Sequence, residues 1–292
     1  MKVGVRITKF NFPGNNGEIG RRVKEIATNA EVVGFNSIWV MDHFLQIKFL
    51  GEPEERMLEA YSTLGYLAGI TNKIHLGALV TGVIYREPAV LIKAVTALDV
   101  LSGGRAYFGI GAGWFDYEAK ALGLLDPLTS NRFTRLEETI MIAKQMWSGE
   151  EKPFDGKIYH LGKTISNPQP IQKPHPPILI GGGGEQKTLK FVAKYGDACN
   201  LFGDDLEVLK RKIEVLKQHC KELGRPYDEI EKTVGIRASV NEFASNTKEF
   251  LDNFREFSKL GINHIILNAN SNDVDISAYE KLVEPIKIIH EM

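Results

Sequence analysis

The chain has 292 residues, a length that suits either one large α/β barrel or two medium domains. With 43% hydrophobic and 25% charged residues it holds enough apolar material for a sizeable core, which argues against disorder. Thirty-six basic side chains against 37 acidic ones leave a net charge of −1 with no basic stripe, so no nucleic-acid partner is expected.

The predicted elements alternate from end to end. A strand at residues 3–7 leads to a helix over 18–33, whose Ile19, Val23, Ile26, Ala27 and Ala30 share one stripe. A strand at 37–41 leads to a helix over 58–71. The strand at 75–80 precedes a helix over 88–101, with Pro88 in its first turn. The strand at 106–110 precedes a helix over 132–147. The remaining strands, at 178–180, 198–202, 232–238 and 264–267, precede helices over 185–195, 206–223, 248–260 and 277–290. Most strands are continuous apolar runs, as strands buried on both faces are. The interval between the fourth and fifth strands is about twice the others. It holds an insertion at about 149–177 that includes PFDGKIYHL, a candidate small hairpin. Eight such units in one unbroken domain over 1–292 predict a (β/α)8 TIM barrel with an insertion between strands 4 and 5.

The two cysteines, Cys199 and Cys220, cannot build a disulfide framework and suit a reducing cytoplasm; Cys199 reads as a small buried hydrophobe. The first ten residues carry Lys2, Arg6 and Lys9, unlike a signal peptide. No apolar run approaches the roughly 20 residues of a membrane span.

Active sites of such barrels lie at the C-terminal ends of the strands. Of the seven histidines, only His43 falls there; His75 and His264 begin strands at the stability face. One histidine makes no metal site, and no CxxC or HxxxH pair exists. A Schiff-base lysine and a glycosidase carboxylate pair are not expected either: Asp42 is one carboxylate, but Asp116 and Glu118 read as lying further out in a loop. What remains is a glycine-lined mouth with Asp42, His43 and aromatic walls. The run Gly181–Gly184 before a helix suits close approach of backbone N–H groups to a phosphate. The GIGAG cluster of Gly109, Gly111 and Gly113 reads as ligand contact or as close barrel packing. Phe10 and Trp114 are candidates for the substrate pocket.

The stretches AEVVGFNSIWVMDHF (30–44), LGALVTGVIYREPAVLIKAVTALDVLSGGRAYFGIGAGW (76–114), RFTRLEE (132–138) and PPILIGGGGEQKTL (176–189) resemble the luciferase-like family of flavin- and deazaflavin-dependent oxidoreductases. The similarity spans nearly the whole chain, and residues 88–113 look particularly like F420-dependent members. The resemblance implies a barrel with an insertion and a tricyclic ring lying across its mouth. It implies a catalytic or ring-facing His43 and an Asp42 near ring or substrate. It also implies a bulge with a non-prolyl cis peptide near Ala78–Leu79, with Val80 and Thr81 beside it. Gly182, Gly183 and Gly184 match the family's phosphate loop. Sugar-phosphate dehydrogenases of the family carry a glutamate directly after the GxG of strand 4. Trp114 stands there instead, which suggests a flatter, more apolar substrate.

The cofactor implied is F420, with hydride passing to or from a small organic substrate. FMN with reduced flavin from a separate reductase, in a monooxygenase, is the alternative; a non-catalytic flavin-binding protein is a third reading. An imidazole, titrating ordinarily near ~6.5, can give or take the accompanying proton. Lys48, Arg86 and Lys187 could meet an acidic cofactor tail but read first as solvated surface charges. A homodimer through the early helices is a family expectation.

Overall fold

The computed structural model describes residues 1–124, 131–269 and 276–292. The first half runs β1 (Lys2–Ile7), α1 (Glu18–Val33), β2 (Ser37–Val40), α2 (Ala60–Ile70), β3 (His75–Ala78), β4 (Thr81–Gly82), α3 (Pro88–Leu101), β5 (Ala106–Gly111) and α4 (Asp116–Ala121). It continues with α5 (Arg132–Ser148), an antiparallel hairpin of β6 (Phe154–Asp155) and β7 (His160–Leu161), β8 (Ile178–Gly181), α6 (Thr188–Tyr195), β9 (Ala198–Phe202) and α7 (Leu206–Leu223). The last part is β10 (Glu231–Ser239), α8 (Val240–Ser245), α9 (Thr247–Lys259), β11 (His264–Asn268), α10 (Ile276–Glu280) and α11 (Val283–Glu291).

The main sheet is parallel throughout, in the order β3-β2-β1-β11-β10-β9-β8-β5-β4, and a β3–β5 pairing closes it. Leu76 pairs with Ala106 at the closure, and Val5 with Leu267 where the chain's two ends meet. This is the (β/α)8 TIM barrel expected. Strand 3, expected as one run over 75–80, is split into β3 and β4. The Leu79–Val80 peptide between them is cis, one residue later than expected. The expected last helix is likewise split, into α10 and α11, with Pro285 in the first turn of α11. The hairpin β6–β7 lies within the insertion, on PFDGKIYHL as expected.

Buried faces of α1, α2, α3 and α5 pack on the outside of the strands, with Val23, Ile26, Leu64, Leu67, Val95 and Ile140 all nearly inaccessible. Inside the barrel, Trp39, Tyr107, Leu179, Ala198 and Ile266 form a second cluster. Gly77 makes that cluster possible: a β-carbon there would lie 2.6 Å from the Trp39 ring. Below it, at the N-terminal strand ends, lies a polar network. Glu231 accepts from the Tyr107 hydroxyl (2.8 Å) and meets Nδ1 of His264 (3.0 Å). The other ring nitrogen of His264 meets Ser37 Oγ at 2.8 Å, which accepts from Trp39 Nε1 at 2.6 Å. Cys199 is buried as expected, and burial pushes its thiol up to about 12. Among the described residues no helix is long and apolar enough to cross a membrane.

Candidate active site

The loop after β2 carries Asp42 and His43, and it is anchored from two sides. Arg86, just before α3, reaches over with two nitrogens to the Asp42 carboxylate, at 2.7 and 2.8 Å. Arg86 also meets Glu59 at 2.5 Å, the residue that caps α2 by accepting from the Ser62 N–H. Its guanidinium sits over the rings of Tyr61 and Phe44. Arg86 is therefore an internal strut rather than the solvated surface charge expected. Burial drives the Asp42 carboxyl above its ordinary value, against the pull of Arg86. Asp42, only 2% exposed, thus holds the loop and offers little surface to a ligand.

The second anchor is Glu118 on α4. Expected far out in a loop, it is instead fully buried beneath His43. Its carboxylate accepts from the backbone N–H groups of Phe44 (2.5 Å) and Leu45 (2.8 Å), lies 3.0 Å from His43 Nδ1, and accepts from the Tyr85 hydroxyl. Burial opposes its charge, yet the hydrogen bonds from His43, Tyr85 and Leu45 hold the carboxyl below its ordinary value. Tyr85 is held protonated, its phenol raised by burial and by Glu118.

His43 keeps 13% of its side chain exposed, and among the described residues nothing in the protein is hydrogen-bonded to its Nε2. Three rings meet the imidazole edge-on: Trp114 and Phe115 at 5.7 Å and Tyr85 at 6.2 Å between centroids. Trp114 is half exposed and stacks on the exposed Phe49 at 5.9 Å, forming an aromatic shelf beside His43. Phe10, expected on the pocket wall, is packed in the main core with 1% of its surface exposed.

Strand 3 supplies the floor. Ala78 and Thr81 are buried, Thr81 bonded to the Tyr61 hydroxyl at 2.8 Å, while Leu79 and Val80 are partly open. Val80 occupies the space that glycines leave. A β-carbon at Gly111 would lie 2.8 Å from Val80, and one at Gly181 would lie 2.7 Å from it. At Gly109 a β-carbon would fall 1.9 Å from the Ala78 carbonyl oxygen. Gly109 and Gly111 thus follow the close-packing reading of their cluster.

Beyond Val80 lies the loop Gly182–Gly184, with Gly182 at φ +113°. Among the described residues no protein acceptor faces the backbone N–H groups of Gly183 and Gly184. Lys212 from α7 donates to the Gly183 carbonyl, and Lys187 sits over the Phe133 ring at 5.0 Å. These residues border a hollow of about 470 Å³. Lys48 is exposed beside the Tyr117 ring.

The sequence-predicted His43 and Trp114 are therefore brought together, while Val80 lies against Gly111 and Gly181 at the start of the glycine loop. Glu118 and Tyr85 were not singled out as site residues by sequence, and Arg86 was weighed only as a contact for an acidic cofactor tail or a surface charge. A signal for Glu118 exists in DYEAKA, an acidic first helical turn ahead of the buried Ala119, which marks a short amphipathic helix rather than a loop.

The model of the luciferase-like monooxygenase family matches residues 1–282. The chain is 29% identical over 267 residues to the F420-dependent glucose-6-phosphate dehydrogenase of Kineococcus radiotolerans, covering 90% of this chain and 74% of that one. The protein of the same name from Amycolatopsis mediterranei is 28% identical over 269 residues, covering 90% and 75%. Among solved structures, an F420-dependent secondary alcohol dehydrogenase in complex with an F420-acetone adduct superposes with a TM-score of 0.80 at 20% identity, over 99% of this chain and 98% of that one. The coenzyme F420 dependent tetrahydromethanopterin reductase of Methanopyrus kandleri gives 0.77 at 18% identity, over 97% of both chains. At such identities the superpositions speak for the fold, and the family match speaks for descent: this chain belongs to the luciferase-like monooxygenase family.

Proposed function

We propose that the protein is an F420-dependent oxidoreductase acting on a small organic substrate. The observation that carries this reading is the open Nε2 of His43 at the mouth of a luciferase-like barrel, in a chain similar to F420-dependent dehydrogenases along 90% of its length.

The residues present fit such a cofactor. An anionic phosphate needs donors that the protein has not already used, and the N–H groups of Gly183 and Gly184 are of that kind. Lys187 and Lys212 lie at the same loop and supply positive charge. A β-carbon at Gly183 would lie 2.9 Å from Lys212 Nζ, so the glycine lets the lysine reach the loop. Gly182, Gly183 and Gly184 would hold the phosphate, and Leu79 and Val80 would support the ring. Asp42, Ala78 and Thr81 act behind them, fixing the loop and the strand. When bound, F420 would supply the acceptor or donor of two electrons and one hydrogen.

His43 exchanges the accompanying proton at Nε2, within a wall of aromatic rings that excludes water from one side. Trp114 and Phe49 form the substrate side. With Trp114 where the sugar-phosphate enzymes place a glutamate, the reading favours a flat, weakly polar substrate over a sugar phosphate. Titration of the purified protein with F420 and with FMN, followed by quenching of each fluorophore, tests the assignment. Saturable F420 quenching at lower concentration than FMN is expected. Tight FMN binding without F420 binding would overturn it in favour of a flavin monooxygenase.

A further inference from the structure

Glycines leave room for two side chains inside the upper barrel, and the two differ in chemistry. Val80 takes the space against Gly111 of β5 and Gly181 of β8. Arg6 of β1 takes the space against Gly235 of β10, where a β-carbon would lie 2.8 Å from Nη1. In the order of the barrel strands β1 stands opposite β8, with β11, β10 and β9 between them. Two bonds fix the arginine: Nε donates to Asn268 Oδ1 at 2.6 Å, and Nη2 donates to the Ile236 carbonyl at 3.1 Å. A guanidinium carries five N–H donors, so three stay unused among the described residues. No described carboxylate pairs with Arg6. The neighbouring Asp204 is taken by Arg237, through Nε at 3.0 Å and the backbone N–H at 3.2 Å.

Asn200 of β9 flanks the same glycine, its Oδ1 3.8 Å from where the Gly235 β-carbon would lie. It is 7% exposed, and its Nδ2 donates to Thr233 Oγ1 at 2.8 Å. Among the described residues nothing donates to its Oδ1. An arginine cannot shed its charge, and both a secluded cation and a secluded acceptor are costly until a partner arrives. A lone carboxylate or phosphate would suit Arg6 but would face the Asn200 oxygen with no hydrogen between them. Open donors beside an open acceptor complement an edge that alternates acceptor, donor and acceptor.

We propose that Arg6 and Asn200 form a recognition site for a cyclic imide, the pyrimidinedione edge that F420 and FMN share. Arg6 donates to a ring carbonyl, and Asn200 Oδ1 accepts from the ring N–H between the two carbonyls. This rests on the proposed function above, in that a ring of this type enters the barrel mouth. A cation held at that edge also favours the electron-rich reduced ring, so Arg6 raises the reduction potential of the bound cofactor.

Fluorescence titration with F420 of the wild type, Arg6→Met and Arg6→Lys tests the site without turnover. Arg6→Met should raise Kd about 10–100-fold and lower the midpoint potential of bound F420. Arg6→Lys keeps the charge without the planar fork, and should fall between the two. The ligand can be altered instead. FMN and N3-methyl-FMN share phosphate and chain, and the methyl group removes the imide N–H. The wild type should bind the methylated ring about tenfold or more weakly. Equal F420 affinity in the wild type and Arg6→Met, or equal affinity of the wild type for the two FMN probes, would overturn the proposal. Arg6→Met that keeps F420 affinity but raises KM for substrate would also overturn it, placing the fork at the substrate. If Arg6→Met does not fold, Arg6→Lys and the wild-type probe comparison decide. A wild type that binds neither F420 nor FMN would instead remove the proposed function, a result distinct from binding that ignores Arg6.

Discussion

Glu231, His264 and Tyr107 at the N-terminal end of the barrel repeat, in residue type, the Glu118, His43 and Tyr85 set at the C-terminal end. In both, the carboxylate takes a tyrosine hydroxyl and faces Nδ1 of the imidazole at 3.0 Å. Both carboxyls are held below their ordinary value, Glu231 down to about 2, because hydrogen bonds from histidine and tyrosine, joined at Glu231 by the charge of Lys2 at 3.0 Å, outweigh the opposing effect of burial. The difference lies at the far ring nitrogen. His264 is 1% exposed and its Nε2 is closed by Ser37; burial keeps its imidazole below the ordinary range. His43 keeps its Nε2 open beside an aromatic shelf. One set is a stopper of the barrel, and the other is the set to which the proposed function assigns proton exchange. Residue type does not separate them; an unfilled nitrogen does.

Four perturbations sharpen that contrast. His43→Ala should lower turnover about 10²–10⁴-fold at a cost of about 1–3 kcal/mol in unfolding free energy, because Phe44, Leu45 and Tyr85 still hold the buried Glu118 carboxylate, seen by steady-state kinetics beside denaturant unfolding. Glu231→Ala should do the reverse. It leaves His264 and Tyr107 unpaired in a dry interior, at a cost of about 3–5 kcal/mol in denaturant unfolding, with F420 affinity kept where the protein is folded. The acid limb of stability follows from the same site. Because the folded Glu231 titrates below its ordinary 4.5, its contribution is present above 4.5 and is lost as the pH falls toward about 2. Glu118 acts with the same sign. Unfolding midpoints measured down this range should fall less steeply in Glu231→Gln than in the wild type. Trp114→Ala should have the smallest effect: a KM raised several-fold, on the order of 1 kcal/mol, with kcat nearly unchanged.

The barrel was legible because eight continuous apolar runs alternate with amphipathic helices, and that period survives any local exception. His43 and Trp114 were legible because they stand at C-terminal strand ends. Position along a strand end does not give the direction of a side chain, which is why Phe10 and Asp42 were expected at the ligand and are found inward. Arg86 reads as a surface charge until the fold brings Asp42 and Glu59 to it. Glu118 was hidden for a similar reason. Its partner lies 75 residues away, and DYEAKA is short enough to pass for a loop. Nothing in the residues of strand 3 distinguishes the bond after Ala78 from the bond after Leu79, so the cis peptide was placed one residue early.

The contrast between the two ends can be read in a single experiment. Imidazole ¹⁵N signals of His43 and His264 are followed while F420 is titrated into the labelled wild-type protein. The Nε2 signal of His43 is expected to move and saturate with the cofactor, while both nitrogens of His264 stay fixed. A His43 signal unmoved at saturating F420, or movement confined to His264, would contradict the assignment of the open end as the reacting end.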